Sequence, residues 1–388
     1  MNILISGFPY IRSSYRATFK NCPEKEKVFF LLPDHWSIKN GAVIFDAPDE
    51  PNVIPAKAFF PHSNYPVIGG ILKGWMPAFP VTLYRLNRKE GVDLVYSCSE
   101  PILLTTLYQA IWTKIFGCKH VFFSWENIPY ENKFSGLNLF FKRCILRLNI
   151  TLSDGIICGN TKGKKILEKY TTKPISVIPM SGVDTDFFKK ESATKEFQGH
   201  NFKDKTVFTF AGAIGYRKGL SFLIEAFEKL LAKAPDSFLV IAGSGEYEGG
   251  LDSLISKHGL QGYILRIPWL DRKQLRALLN VSDVFVYPSI SHVGWEEQFG
   301  YSMAEASLME LPVISTLTGS ILDVVINEHT GILVPEKNSN TLYQAMLRLA
   351  LDSDLRSRFG KNGWAYINQQ YSHEAIAQKF LDFFRVIV

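Results

Sequence analysis

Short runs of apolar and β-branched residues, each bounded by Gly, Pro or Asp, recur along the whole chain, and stretches with helical spacing separate most of them. NILISG, VFFLLP, DLVYSC, HVFFSW, DGIICGN and SVIPM make a first set; TVFTFAGAI, SFLVIAGSG, ILRIPW, DVFVYPS, PVISTLT and GILVPE make a second. Strands covered on both faces read as continuous apolar runs, without the polar alternation of a half-exposed sheet. The pattern predicts an α/β chain with two parallel sheets, each flanked by helices.

The second set is the cleaner. Between its strands lie LSFLIEAFEKLLAKAP, DRKQLRALLNVSD and NTLYQAMLRLAL, each with apolar residues at i, i+3, i+4 and i+7. The polar, charged stretch from Gly182 to Gly199 follows the last strand of the first set and marks the seam. Domains are expected over residues 1–188 and 189–371. The closing stretch, 372–388, reads as one more amphipathic helix that packs back toward the first domain.

Composition agrees with two domains, since 388 residues exceed what one core usually covers. No apolar run is long enough to span a bilayer, and MNILISGFPY lacks the basic and apolar regions of a secretion signal. A cytoplasmic location is expected, with contact at the cytoplasmic face of a membrane left open. Cys22, Cys98, Cys118, Cys144 and Cys158 never form CxxC or sit near histidines at ligand spacing, so they read as buried free thiols, and no metal site is expected.

Charge changes the picture more. Residues 1–190 carry 24 Lys and Arg against 15 Asp and Glu, a net +9, and the remainder carries 19 against 22, a net −3. A basic half faces an anionic partner, such as a phospholipid surface or a phosphate-bearing acceptor; scattered solvated lysines explain the count equally well. KFSGLNLFFKRCILRLNI, Lys133 to Ile150, holds Lys142, Arg143 and Arg147 with no acid. It fits a helix lying on an anionic membrane, and also a core helix whose cations reach the solvent edge.

In open α/β sheets, ligands bind beyond the carboxyl ends of the strands, where loops lead into helix N-termini. WEEQFGYSMAE occupies such a place after DVFVYPS, with Glu297 in the loop, Gly300 as the turn residue and Glu305 in the second helical turn. Ionised carboxylates accept from paired hydroxyls such as a sugar presents, and N–H groups at the helix start favour a diphosphate. A solvated loop glutamate and an outward-facing helical one explain the pair taken alone. FAGAIGYRKGL is a second such loop, where Gly212, Gly215 and Gly219 permit close approach and Arg217 and Lys218 offer cations. GSGEYEG, starting at Gly243, misses the dinucleotide fingerprint by one residue and reads as a Gly-rich loop near a nucleotide. SWENIP after HVFFSW offers Glu126, although an Asn-Ile-Pro turn explains that stretch too. GFPYIRSSYR offers Arg12 and Arg16, read first as exposed arginines.

Taken in order, RKG (Arg217 to Gly219), IAGSGE, DVFVYPS, EQFGYSMAEA, LPVIST and TGILVPE, with VIPMSGVDTDFF before the seam, resemble the donor domain of retaining glycosyltransferases of family 4. The resemblance covers roughly residues 150 to 388; the first 150 match in pattern only. It implies the GT-B fold, two Rossmann-like domains with parallel sheets facing across a cleft, the first binding acceptor and the second nucleotide-sugar donor. On that reading Glu297 contacts donor-sugar hydroxyls, Phe299, Gly300 and Tyr301 line the sugar pocket, and Glu305 accepts from the ribose. Arg217 and Lys218 neutralise the departing diphosphate. Gly319 approaches the sugar, Gly215 and Gly243 approach the nucleotide, and Glu126 serves the acceptor side. One departure is Ala213, where many members carry a diphosphate-binding Arg; Arg217 would replace it.

The expectation is a metal-independent retaining hexosyltransferase with a UDP- or GDP-linked donor and no further cofactor. Its acceptor would be a glycan or lipid-linked saccharide, with peripheral membrane contact through the basic half and no nucleic acid. Two other classes stay open: a non-catalytic nucleotide-sugar binder, suggested by Ala213, and a dinucleotide-dependent oxidoreductase, suggested only by GSGEYEG.

Overall fold

The computed structural model describes the chain except residues 21, 24, 38–43, 62–69 and 192–193, so two residues of the expected seam lie outside the described residues. The chain divides into two compact units, Met1–Gly182 with His373–Val388, and Val183–Ser372.

The first unit is built on β1 (Asn2–Ser6), β2 (Lys27–Pro33), β5 (Val53–Ala56), β6 (Leu94–Ser97), β7 (Lys119–Ser124), β8 (Gly155–Cys158) and β9 (Ile175–Val177), with β3 (His35–Ser37) and β4 (Ile44–Asp46) as a separate antiparallel ribbon. The seven strands pair in parallel in the order β5-β2-β1-β6-β7-β8-β9. The second unit opens with the ribbon β10 (Glu196–Phe197) and β11 (His200–Asn201). Its sheet holds β12 (Thr206–Ala211), β13 (Ser237–Ala242), β14 (Ile264–Ile267), β15 (Val284–Tyr287), β16 (Val313–Thr316) and β17 (Gly331–Val334). These six are parallel in the order β14-β13-β12-β15-β16-β17. Every predicted run forms a strand of one of these sheets; the central residues are buried, as two-sided coverage by helices requires, except in edge strands β9 and β14, where they are half-buried.

The pattern missed β5. Its four residues, VIPA, are short and contain Pro55, which donates nothing to a ladder and is tolerated because β5 is an edge strand. The helices follow their apolar spacing. Leu220–Leu231 buries Leu220, Leu223, Ile224, Phe227 and Leu230 on one face. Arg272–Val281 starts at a capping box: Gln274 N donates to Asp271 Oδ1 at 2.8 Å and Asp271 N donates to Gln274 Oε1 at 3.1 Å.

The closing helix, His373–Ile387, belongs to the first unit, where Phe380 packs 5.2 Å from Phe19 and 5.5 Å from Tyr96 between ring centroids. The chain therefore passes between units twice, and each unit secures its own side. In the first, Thr18 Oγ1 accepts from Gly182 N at 3.1 Å and lies 3.0 Å from His373 Nδ1. In the second, Val183 N donates to Tyr371 O at 2.8 Å, and Val183 and Ser372 form a parallel bridge. All five cysteines are unpaired; Cys98, Cys118 and Cys158 are buried, while Cys22 and Cys144 are only half-buried. Among the described residues, no helix is long and apolar enough to cross a membrane.

Candidate functional site

The second sheet is wound outward in both directions from β12, so the crevice between the ends of β12 and β15 is its topological switch point. Two loops meet there. One runs from Gly212 to Gly219 after β12; the other runs from Pro288 to Gly300 after β15, and Ile290 N donates to Arg217 O at 2.9 Å to join them.

Lys218 and Glu297, one from each loop, form a buried ion pair: Lys218 Nζ donates to Glu297 Oε2 at 2.5 Å and also to the Tyr287 hydroxyl. Ser289 Oγ donates to the same carboxylate oxygen at 3.1 Å. Burial lowers the Lys218 pKa, the Glu297 charge opposes that shift, and neighbouring Arg217 adds to it. Arg217 is half-exposed, with its guanidinium carbon 4.1 Å over the Trp295 ring; Lys218 Nζ lies 4.4 Å over Tyr287 and 5.1 Å over Trp295. The cations thus sit on aromatic faces that orient them.

Backbone geometry fixes Glu297. Gly319, in the loop after β16, has φ 58°, and a Cβ there would fall 2.2 Å from Glu297 O, so a side chain is excluded. Next to it, Ser320 N donates to Glu297 O at 2.8 Å. Gly300, with φ 82°, precedes the helix Tyr301–Leu308 in the left-handed conformation expected of the turn residue. Phe299 buries its ring 4.8 Å from that of Tyr301 and 5.1 Å from that of Tyr371. Gly243 lies so close to Gly212 that a Cβ would come within 1.8 Å of its carbonyl oxygen, and Gly215 lies beside the Glu246 carboxylate.

Glu305, on the helix after Gly300, stands apart from the Lys218–Glu297 cluster. Burial pushes its pKa up to about 7, with Arg272 opposing, and among the described residues its carboxylate has no hydrogen-bond or ion-pair partner. A carboxylate so placed is short of donors.

Sequence reasoning missed Tyr287, Ser289, Trp295 and Ser320. The first two stand at the carboxyl end of DVFVYPS, the very place where such sheets bind ligands, and could have been read there. Trp295 gave no signal beyond its type. Ser320 Oγ is buried and, among the described residues, has no hydrogen-bond partner, a polar atom beside Gly319.

In the first unit, Glu126 follows β7 and is buried. Its Oε2 accepts from Lys133 Nζ at 2.7 Å and its Oε1 from Ile128 N at 3.2 Å, so it holds the loop it stands on. Glu100, which follows β6 and was not singled out, accepts from Ser124 Oγ and Trp125 N, both at 2.8 Å. Burial first, then the Glu126 charge, pushes its pKa up to about 7. Arg16 is not an exposed arginine: it is buried, donates to Tyr10 O and Ile11 O at 2.7 and 2.8 Å, and pairs with Glu50 at 2.7 Å. Arg12 is exposed.

Known proteins were compared with the chain. An uncharacterized glycosyltransferase of Methanocaldococcus jannaschii is 27% identical over 183 residues, 47% of this chain and 45% of that one. The GDP-mannose-dependent alpha-(1-6)-phosphatidylinositol monomannoside mannosyltransferase of Mycobacterium tuberculosis is 26% identical over 208 residues, 53% of this chain and 54% of its own. The chain thus spans about half the length of the curated relatives it matches. Among solved structures, Anabaena HepE in complex with UDP matches 100% of both chains with a TM-score of 0.75 and 17% identity, which shows a shared GT-B fold. Residues 192–365 match the model of the glycosyl transferases group 1 family, which takes in the whole Lys218–Glu297 cluster and Glu305. That segment is a domain of the glycosyl transferases group 1 family.

Proposed function

We propose that the chain is a metal-independent retaining glycosyltransferase of family 4. It moves a sugar from a UDP- or GDP-linked donor to a hydroxyl of a glycan or lipid-linked saccharide. The observation that carries this reading is the buried Lys218–Glu297 pair, which joins two loops at the switch point of the second sheet. The second unit would hold the donor and the first the acceptor; that HepE binds UDP and that the phosphatidylinositol monomannoside enzyme is GDP-mannose-dependent support the classes of donor and acceptor by analogy.

The chemistry needs charge answered in two places. As the bond from the anomeric carbon to the diphosphate oxygen breaks, its electron pair leaves with the phosphate, and Arg217 and Lys218 oppose that negative charge. Lys218 arrives buried and oriented by Glu297 and Tyr287, so little reorganisation is required. The acceptor oxygen attacks the same face and its proton passes to the departing phosphate oxygen, which retains the configuration. Glu297 binds sugar hydroxyls, Ser320 Oγ, without a hydrogen-bond partner among the described residues, binds another, and Glu305 accepts from the ribose. Backbone at Phe299, Gly300, Tyr301 and Gly319 shapes the sugar pocket, and Gly215 and Gly243 let the nucleotide approach.

A second reading, a nucleotide-sugar binder without turnover, is favoured by the same pair. Glu297 already neutralises Lys218, and Ala213 stands where a further Arg would help. Turnover and thermal shift with UDP-, GDP- and ADP-sugars separate the two: the transferase releases nucleotide and yields a glycosylated acceptor in the presence of EDTA, whereas the binder shows only the thermal shift.

A further inference from the structure

The helix Gly136–Leu152 has two apolar faces. Leu146 and Ile150 turn inward and pack with Ile102, Phe122, Ile156 and Leu167. Leu137, Phe140, Phe141 and Leu148 turn outward and are 75%, 61%, 58% and 50% exposed. With a turn of about 100° per residue, these four and half-buried Cys144 fall within an arc of roughly 100°, a continuous stripe. The helix Leu104–Ile115 packs alongside and exposes Ile111 and Ile115. Single exposed apolar residues are ordinary, but a stripe that includes two adjacent phenylalanines marks a contact surface.

The charges beside the stripe name the contact. Arg147 is exposed next to it; Arg143 lies further round the same side and pairs with Glu131 at 3.3 Å; Lys142 lies across the helix over the Phe134 ring. The helix itself contains no acid, and residues 1–190 carry a net +9. We infer that this face lies flat on an anionic lipid surface, with its apolar side chains in the acyl boundary and Arg147 at the headgroup phosphates. A second copy of the chain fits worse. A two-fold contact through the stripe would bring like-charged flanks together, with no acid on either helix to answer them. The inference goes beyond the proposed reaction and does not depend on it.

Co-sedimentation of the full chain with vesicles tests it. Vesicles of phosphatidylglycerol and phosphatidylcholine bind the protein at least about tenfold more strongly than phosphatidylcholine alone, and high salt weakens that binding. Phe140→Ser with Phe141→Ser lowers the anionic-vesicle partition by on the order of tenfold or more with the thermal midpoint unchanged. Tryptophan emission from Phe141→Trp shifts to the blue on anionic vesicles, a readout in a chain that keeps its apolar face. Equal binding to both vesicle types, wild-type partition in the double variant, or no spectral shift each overturns the inference. So does a dimer in sedimentation velocity that the double variant abolishes, since it assigns the face to a second copy.

Discussion

At the carboxyl ends of their strands the two sheets are furnished differently. The second sets a buried lysine against a buried glutamate, Lys218 and Glu297, between loops rich in glycine. The first sets two carboxylates near one another, Glu100 and Glu126, and a lysine bonds only to Glu126. A carboxylate that a cation answers stays charged when buried; one left without a cation drifts toward neutrality, as Glu100 and Glu305 do at about 7. The second crevice therefore offers fixed charge beside bare backbone, which suits a charged ligand held closely. The first offers one carboxyl, Glu100, that titrates near neutral pH among side chains, which suits a hydroxyl-bearing ligand.

Removing charge from the second crevice is the largest break. Glu297→Gln leaves Lys218 without its counter-charge and should lower turnover by on the order of 100-fold or more, while nucleotide binding read by thermal shift persists. Wild-type turnover in that variant would sink the assignment. In the first crevice, Glu126→Gln strands partly exposed Lys133 and should cost about 1–2 kcal/mol of stability in chemical denaturation. It should also raise the acceptor KM with donor affinity unchanged; a fall in kcat as deep as that of Glu297→Gln would erase the contrast between the crevices.

Glu305 sharpens the comparison through pH. Its folded pKa of about 7 exceeds the ordinary 4.5, so the native state keeps a proton that the unfolded chain releases. The wild type accordingly loses stability as pH rises between those values. Glu305→Gln should remove that loss, gaining at most about 3 kcal/mol at pH 8 and nothing at pH 4, in urea titrations at both. Nucleotide affinity should drop in the same variant, since the ribose loses an ionised acceptor. The smallest effect belongs to Trp295. Trp295→Ala removes the ring under Arg217 and should weaken donor binding by about threefold to thirtyfold, measured by calorimetry, with the fold intact.

Apolar runs revealed every strand of the second sheet, because strands buried on both faces leave an unbroken signal. They missed edge strand β5, where a proline interrupts a run of four residues. The sequence placed Glu297, Gly300 and Glu305 on loop, turn and helix correctly, since strand end and helix start bracket them within a few residues. Its resemblance to known enzymes put Arg217 and Lys218 side by side on the diphosphate, and it did not foresee that Lys218 is tied to Glu297 across 79 positions and Arg217 to Trp295. Such pairings depend on which strands become neighbours, and β12 and β15 are neighbours only because the two intervening strands, β13 and β14, are laid down on the other side of β12. Arg16 failed for the same reason, since its partner Glu50 lies in a segment with no periodic signal.

The bond between Val183 and Tyr371, with Thr18 gathering Gly182 and His373 on the other side, means that the second unit begins and ends at one spot. In genetic terms it is an insert: a contiguous cassette of coding sequence that starts and stops at the same doorway. Such a cassette can be excised, exchanged for the matching segment of another group 1 family protein, or circularly permuted with a short linker, leaving both junction geometries in place. If the second unit holds the donor as proposed, donor preference is open to change by recombination at two codons, without a single substitution inside either sheet.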